Sequence, residues 1–148
     1  MTVILVDADA CPVIDPTIKV AKEFNLSVIL ICDTSHYIER EGATTITVSK
    51  GSDAVDFVLV NRVQVGDIVI TQDYGLAAMV LAKKGYAIDQ NGRLYTPENI
   101  DQLLFTRHLA KKIRESGGRT KGPKKREKES DIRFEESLKR LCNDVLLI

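Results

Sequence analysis

Apolar positions in this chain fall into short solid blocks, separated by stretches with helical spacing. Thr2-Val-Ile-Leu-Val6 and Ser27-Val-Ile-Leu-Ile-Cys32 are unbroken runs of apolar or β-branched residues. Neither run alternates with polar residues, so each predicts a strand covered on both faces, as in a parallel sheet. Asp67-Ile-Val-Ile-Thr71 is a further block of this kind, and Thr44–Val48 predicts a shorter strand. Between the blocks, Ile14, Ile18 and Ala21 predict a helix from Pro12 to Phe24, with Pro12 tolerated in its first turn. A second helix is predicted over 53–63, opened by Gly51-Ser52-Asp53 and burying Val55, Val58, Leu59 and the stem of Arg62. A third runs from Tyr74 to Lys84, with Gly85 as its C′ residue. Asn91-Gly92 joins Tyr86–Ile88 to Arg93–Tyr95 as a hairpin. Thr96-Pro97-Glu98-Asn99 opens a helix to Ser116, and Asp131 is placed to cap a last helix bearing Phe134, Leu138, Leu141 and Val145. Strand and helix alternate, which predicts an α/β fold on a mainly parallel sheet.

A chain of 148 residues suits one domain. The expected organisation is a core over 1–116, a basic flexible segment over 117–130 and a C-terminal helix over 131–148 packed on the core. No apolar run reaches the length of a membrane span, and the first residues lack a basic n-region and cleavage site, so the expected location is cytoplasmic. Cys11, Cys32 and Cys142 are odd in number and lack CxxC spacing, which argues against a disulfide framework. Cys32-x-x-x-His36 has ligand-like spacing but no second pair to complete it.

Net charge is zero, yet the charges are segregated. Residues 1–106 carry 8 lysines and arginines against 14 acids, whereas residues 107–130 carry 10 against 3. A basic segment on an acidic body suits a partner that is an anion and brings metal with it, such as a phosphodiester. Arg114, Arg119, Lys121, Lys124, Lys125 and Arg126 are the residues expected to contact a nucleic-acid backbone. Aromatics are scarce among them, so base stacking is not indicated.

Acidic residues gather at strand ends. Asp7 and Asp9 follow the first strand, Asp33 the second and Asp73 the fourth, while Asp53 and Asp56 share a face at a helix start. In an open α/β sheet the carboxyl ends of the strands are where ligands sit. If the first and fourth strands are neighbours, Asp7 and Asp73 face one another there. Hard oxygen donors so grouped favour Mg²⁺ or Mn²⁺ over zinc. Each acid has an ordinary structural role open to it as a turn former or N-cap, and Asp9 and Asp33 are the easiest to explain so. Cys11, near a helix start, is a candidate nucleophile or a small buried thiol.

Asp7-Ala-Asp-Ala-Cys-Pro12, Gly51-Ser-Asp-Ala-Val-Asp56, Gly66-Asp-Ile-Val-Ile-Thr-Gln-Asp73 with Leu76-Ala77, and Gly122-Pro123 followed by Asp131 and Phe134 resemble the YaiI/YqxD family. That family is similar to the PIN-like superfamily, whose well-studied members are metal-dependent ribonucleases. The resemblance implies a PIN-like three-layer α/β/α fold. It also implies acids after the first strand, at a central helix start and after the fourth strand, matching Asp7, Asp53 or Asp56, and Asp73. Asp9 is an additional acid, and a fourth acid common in PIN sites has no counterpart, because Tyr74-Gly75-Leu76 follows Asp73.

The expected function is therefore Mg²⁺- or Mn²⁺-dependent phosphodiester hydrolysis on RNA, with Asp7, Asp53, Asp56 and Asp73 as catalytic residues and Asp7, Asp9 and Asp73 as ligands. Two alternatives stand beside it. One is a non-catalytic PIN-like module that binds nucleic acid or protein. The other is an Asp-nucleophile phosphatase, since a strand ending in Asp-x-Asp also resembles the haloacid-dehalogenase enzymes, with Thr71 as their second-motif hydroxyl.

Overall fold

The computed structural model describes residues 2–51, 54–118 and 126–147. Its elements are β1 (Val3–Asp7), α1 (Ile14–Phe24), β2 (Ser27–Asp33), β3 (Thr44–Val48), α2 (Ala54–Arg62), β4 (Ile68–Ile70), α3 (Tyr74–Ala82), β5 (Tyr86–Ile88), β6 (Leu94–Tyr95), α4 (Pro97–Glu115) and α5 (Lys128–Leu146). The strands form one sheet in the order β3-β2-β1-β4-β5-β6. Neighbouring strands are parallel except for β5 and β6, which pair antiparallel.

Alternation along the strands builds a core on each face of this sheet. Ile4 and Val6 of β1, Val28 and Leu30 of β2, and Ile68 and Ile70 of β4 point to one side. There they meet Ile18 and Ala21 of α1 and Phe134, Leu138 and Leu141 of α5. Leu5, Ile31 and Val69 point to the other side, against Leu59 of α2, Leu76 and Val80 of α3 and Ile100 of α4. The result is a three-layer α/β/α arrangement. β1 lies between β2 and β4, with Asp7 level with Ile31 and Val6 level with Ile70.

Several predicted boundaries move for identifiable reasons. α1 begins at Ile14 rather than Pro12, because residues 10–13 form a turn with Ala10 in the left-handed region at φ 59°. Arg62 is exposed, so its stem is not part of the core. After α3 the left-handed residue is Lys84 (φ 66°), not Gly85. Gly85 is required by space instead: a Cβ there would lie 2.9 Å from Val80 and 3.0 Å from Val63. α5 starts at Lys128 with Glu127 as N-cap, so Asp131 sits in its first turn. Asp131 instead pairs with the Arg126 guanidinium at 2.6 Å.

The turn between β5 and β6 is where α5 is seated. Asp89 accepts from the amides of Asn91 (2.8 Å) and Arg93 (2.9 Å), shaping the turn around Gly92 at φ 87°. A Cβ on Gly92 would meet the Arg133 carbonyl of α5 at 2.8 Å, and Ser137 of α5 donates to the Gly92 carbonyl. On the opposite face α4 leaves the body. Ile100 is buried and Leu103 and Leu104 are half-buried, whereas Phe105, Arg107, Leu109, Lys111 and Ile113 are exposed. Among the described residues no helix is long and apolar enough to cross a membrane.

Phe134 has no exposed surface and joins α5 to the β1–β2–β4 face. Phe134→Ala is expected to cost about 3–5 kcal/mol, read as a lower urea midpoint. An unchanged midpoint would show that α5 is not part of the cooperative core.

Candidate functional site

The strand order reverses between β1 and β4, and at their carboxyl ends lies a cleft of about 450 Å³. Its lining includes Asp7, Asp9, Cys11, Thr71, Asp73, Gln90 and Arg107. This is the crevice in which open α/β sheets hold their ligands. The adjacency of β1 and β4 thus brings Asp7 and Asp73 to one place.

Thr71 sits between those two acids and is almost fully buried. Its hydroxyl donates to Asp7 Oδ2 at 2.8 Å and accepts from the Asp73 amide at 3.0 Å. Its carbonyl accepts from the Tyr95 hydroxyl at 3.1 Å. Burial holds Asp7 above the ordinary carboxylate range; the Thr71 bond pulls the other way, and the charges of Asp73 and Asp9 add to the rise. Asp73 is the N-cap of α3: its Oδ1 accepts from the amides of Gly75 (2.9 Å) and Leu76 (3.2 Å). The same oxygen lies 3.6 Å from the Arg107 guanidinium of α4.

Asp9 lines the cleft but turns toward the neighbouring strand. Its Oδ2 accepts from the Asp33 amide at 3.3 Å. Burial, followed by the Asp33 charge, raises its pKa. Asp33 shapes a turn by accepting from the Ser35 amide (2.8 Å), and its Oδ1 is 3.2 Å from His36 Nδ1. Burial opposes its ionisation, but the backbone bond from Ser35 and the His36 imidazole together hold its pKa below the ordinary range. Asp9, Asp33 and His36 offer ligand atoms within 4.8 Å of one another, the one such group among the described residues. Cys32 points into the core, so the Cys32–His36 spacing makes no pair.

Asp56 lies in the first turn of α2 and lines an adjoining groove with Phe57, Met79, Asp73 and Arg107. Asp53 lies outside the described residues, as do Arg119, Lys121, Lys124 and Lys125. Arg114 is exposed near the end of α4. The Arg126 guanidinium is engaged internally, with Asp131, the Gln90 carbonyl (2.8 Å) and Asn91 Oδ1 (3.1 Å). Sequence reasoning did not single out Gln90, counted Arg107 only within the basic 107–130 stretch, and weighed His36 only through its spacing from Cys32. Only the third had a readable signal, its spacing from Asp33, and that mattered only once β1 and β2 were known to be neighbours.

A scan of protein families matches residues 5–144 to the family described as "Uncharacterized BCR, YaiI/YqxD family". The chain belongs to the YaiI/YqxD family. The UPF0178 protein of Exiguobacterium sibiricum is 59% identical over 141 residues, covering 95% of this chain and 96% of its own. Those of Ruminiclostridium cellulolyticum and Clostridium kluyveri are 56% and 50% identical over 135 residues, each covering 91% of this chain and 88% and 89% of their own. No solved structure matches the chain. In this YaiI/YqxD member the Asp7-Ala-Asp-Ala-Cys-Pro12 motif places Asp7 and Cys11 in the cleft and sends Asp9 toward Asp33.

Cys11 does not have the lowered pKa of a helix-start nucleophile. Burial pushes its thiol up to about 11. Alkylation by iodoacetamide at neutral pH is expected to run far below the rate for free cysteine and to keep rising past pH 10. A rate plateau near pH 7 would overturn this.

Asp7 permits a signed test of stability against pH. Because its folded pKa is raised above 3.8, ionising it costs the folded state, and that cost vanishes below about pH 4. Asp7→Asn is therefore expected to melt higher than the parent at pH 7. The difference should fade as pH falls through the Asp7 pKa, and a lower melting point at pH 7 would contradict it.

Proposed function

We propose that this protein is a Mg²⁺- or Mn²⁺-dependent phosphodiesterase acting on RNA. The observation that carries the reading is the convergence of Asp7 and Asp73 in the cleft between β1 and β4, with Arg107 on its rim. The raised pKa of Asp7 supports it: burial is the main cause, the charges of Asp73 and Asp9 add to it, and a hard divalent cation is the natural partner for a carboxylate so placed. The resemblance to the PIN-like superfamily points the same way.

In this reading Asp7 and Asp73 hold the cation, and Asp53 or Asp56 orients the attacking water. A bound Mg²⁺ or Mn²⁺ supplies water of lowered pKa and offsets charge on the scissile phosphate. Thr71 fixes the rotamer of Asp7 by donating to Oδ2, leaving the other carboxylate oxygen for the cleft. Arg107 exchanges its 3.6 Å contact with Asp73 for phosphate oxygens, which a guanidinium grips in bidentate fashion. Arg114, Arg119, Lys121, Lys124 and Lys125 supply further positive charge for the nucleic-acid backbone, giving affinity that falls steeply with salt.

A non-catalytic PIN-like module is the second reading, and one observation favours it. Asp73 Oδ1 is already committed to two backbone amides and Arg107. Labelled single-stranded RNA distinguishes the two. Hydrolysis that requires Mg²⁺ or Mn²⁺ and drops by about 10³-fold or more in Asp7→Asn supports the enzyme. Salt-sensitive binding without turnover, retained in EDTA and in Asp7→Asn, supports the module. Equal cleavage by parent and variant would sink the assignment of Asp7.

A further inference from the structure

We propose that Asp9, Asp33 and His36 form a binding site for a borderline divalent cation, Mn²⁺ or Zn²⁺, separate from the Asp7–Asp73 pair. The site joins the turn after β1, the last residue of β2 and the loop that follows it. Two carboxylates and one imidazole make a mixed oxygen and nitrogen donor set, which suits these ions better than Mg²⁺.

Two independent observations support it. The first is spacing. His36 Nδ1 lies 3.2 Å from Asp33 Oδ1 and 3.7 Å from Asp9 Oδ1. Bonds of about 2.1 Å at tetrahedral or octahedral angles set neighbouring ligand atoms about 3.0–3.4 Å apart, and the three residues offer ligand atoms that all lie within 4.8 Å of one another. The second is an unsatisfied atom. Asp9 Oδ1 is fully enclosed and accepts no hydrogen bond, although Oδ2 of the same carboxylate is bonded to the Asp33 amide. An enclosed carboxylate oxygen without a donor is costly, and a cation between it and His36 removes that cost.

The site is open on one side. The His36 side chain is 63% exposed, against 27% for Asp9 and 26% for Asp33. Water or an anionic group therefore completes the coordination from solvent. Without a cation, the competing arrangement is a protonated His36 shared between the two carboxylates.

Metal-stripped full-length protein titrated with Mn²⁺ alone separates these arrangements, and the readout is independent of turnover. The chain has two histidines, His36 and His108, and the second serves as internal control. In Asp7→Asn protein, where the cation proposed on Asp7 and Asp73 is removed, substoichiometric Mn²⁺ is expected to broaden the imidazole proton resonances of His36 far more than those of His108. Counting free Mn²⁺ by electron paramagnetic resonance should show one bound ion weakened at least about tenfold in His36→Ala and in Asp33→Asn, and kept in Asp7→Asn. His36 is exposed, so His36→Ala tests the site even if Asp33→Asn disturbs its turn. Equal broadening of both histidines, or His36→Ala binding Mn²⁺ like the parent, would overturn the site and leave the imidazolium bridge. Loss of RNA cleavage in Asp7→Asn alters neither result.

Discussion

A strand covered on both faces can place a charge only past its last apolar residue. β1 is such a strand, with Ile4 and Val6 packed on one layer of helices and Leu5 on the other. It also lies between β2 and β4 in the middle of the sheet. Its carboxylates therefore emerge at the one edge where three strand ends meet, and everything in the candidate site is arranged around them. Asp7 takes the Thr71 hydroxyl from the β4 side, and Asp9 takes the Asp33 amide from the β2 side. Two acids of a single motif are thus divided between two neighbours.

That division separates what a sequence can reveal from what it cannot. The fold was legible because solid apolar blocks and helical spacing are local signals, and they return the five parallel strands with shifts of a residue or two. The nearness of Asp7 to Asp73 followed from supposing β1 and β4 adjacent, and the sheet order bears that out. The direction of Asp9 was not legible. It rests on the Asp33 amide donating to Asp9 Oδ2, a contact between residues 24 apart that no local signal carries. Gly85 shows the converse: a glycine at a helix end suggests a positive φ, yet Lys84 supplies that φ and Gly85 supplies room for Val63 and Val80.

Charge was similarly easier to count than to place. Arg126 belongs by composition to the basic run, but its guanidinium is folded onto Asp131 and the β5–β6 turn. Arg107, at the edge of the same run, reaches the cleft through Asp73. The difference comes from which helix each residue serves. α4 carries Arg107 past the end of β4, whereas Arg126 precedes α5 and helps seat it.

The Arg126 contact has a topological consequence. After Leu104 the chain leaves the body along α4, and by Arg126 it is back against Gln90 and Asn91 of the turn between β5 and β6. The excursion between these points is closed at its base by contacts that do not depend on its length. Closure entropy grows only logarithmically with contour, at about 0.6 kcal/mol per doubling. Insertions and deletions between Gly118 and Arg126 therefore leave the register of the sheet, the spacing of its acids and the Arg107–Asp73 contact of α4 in place.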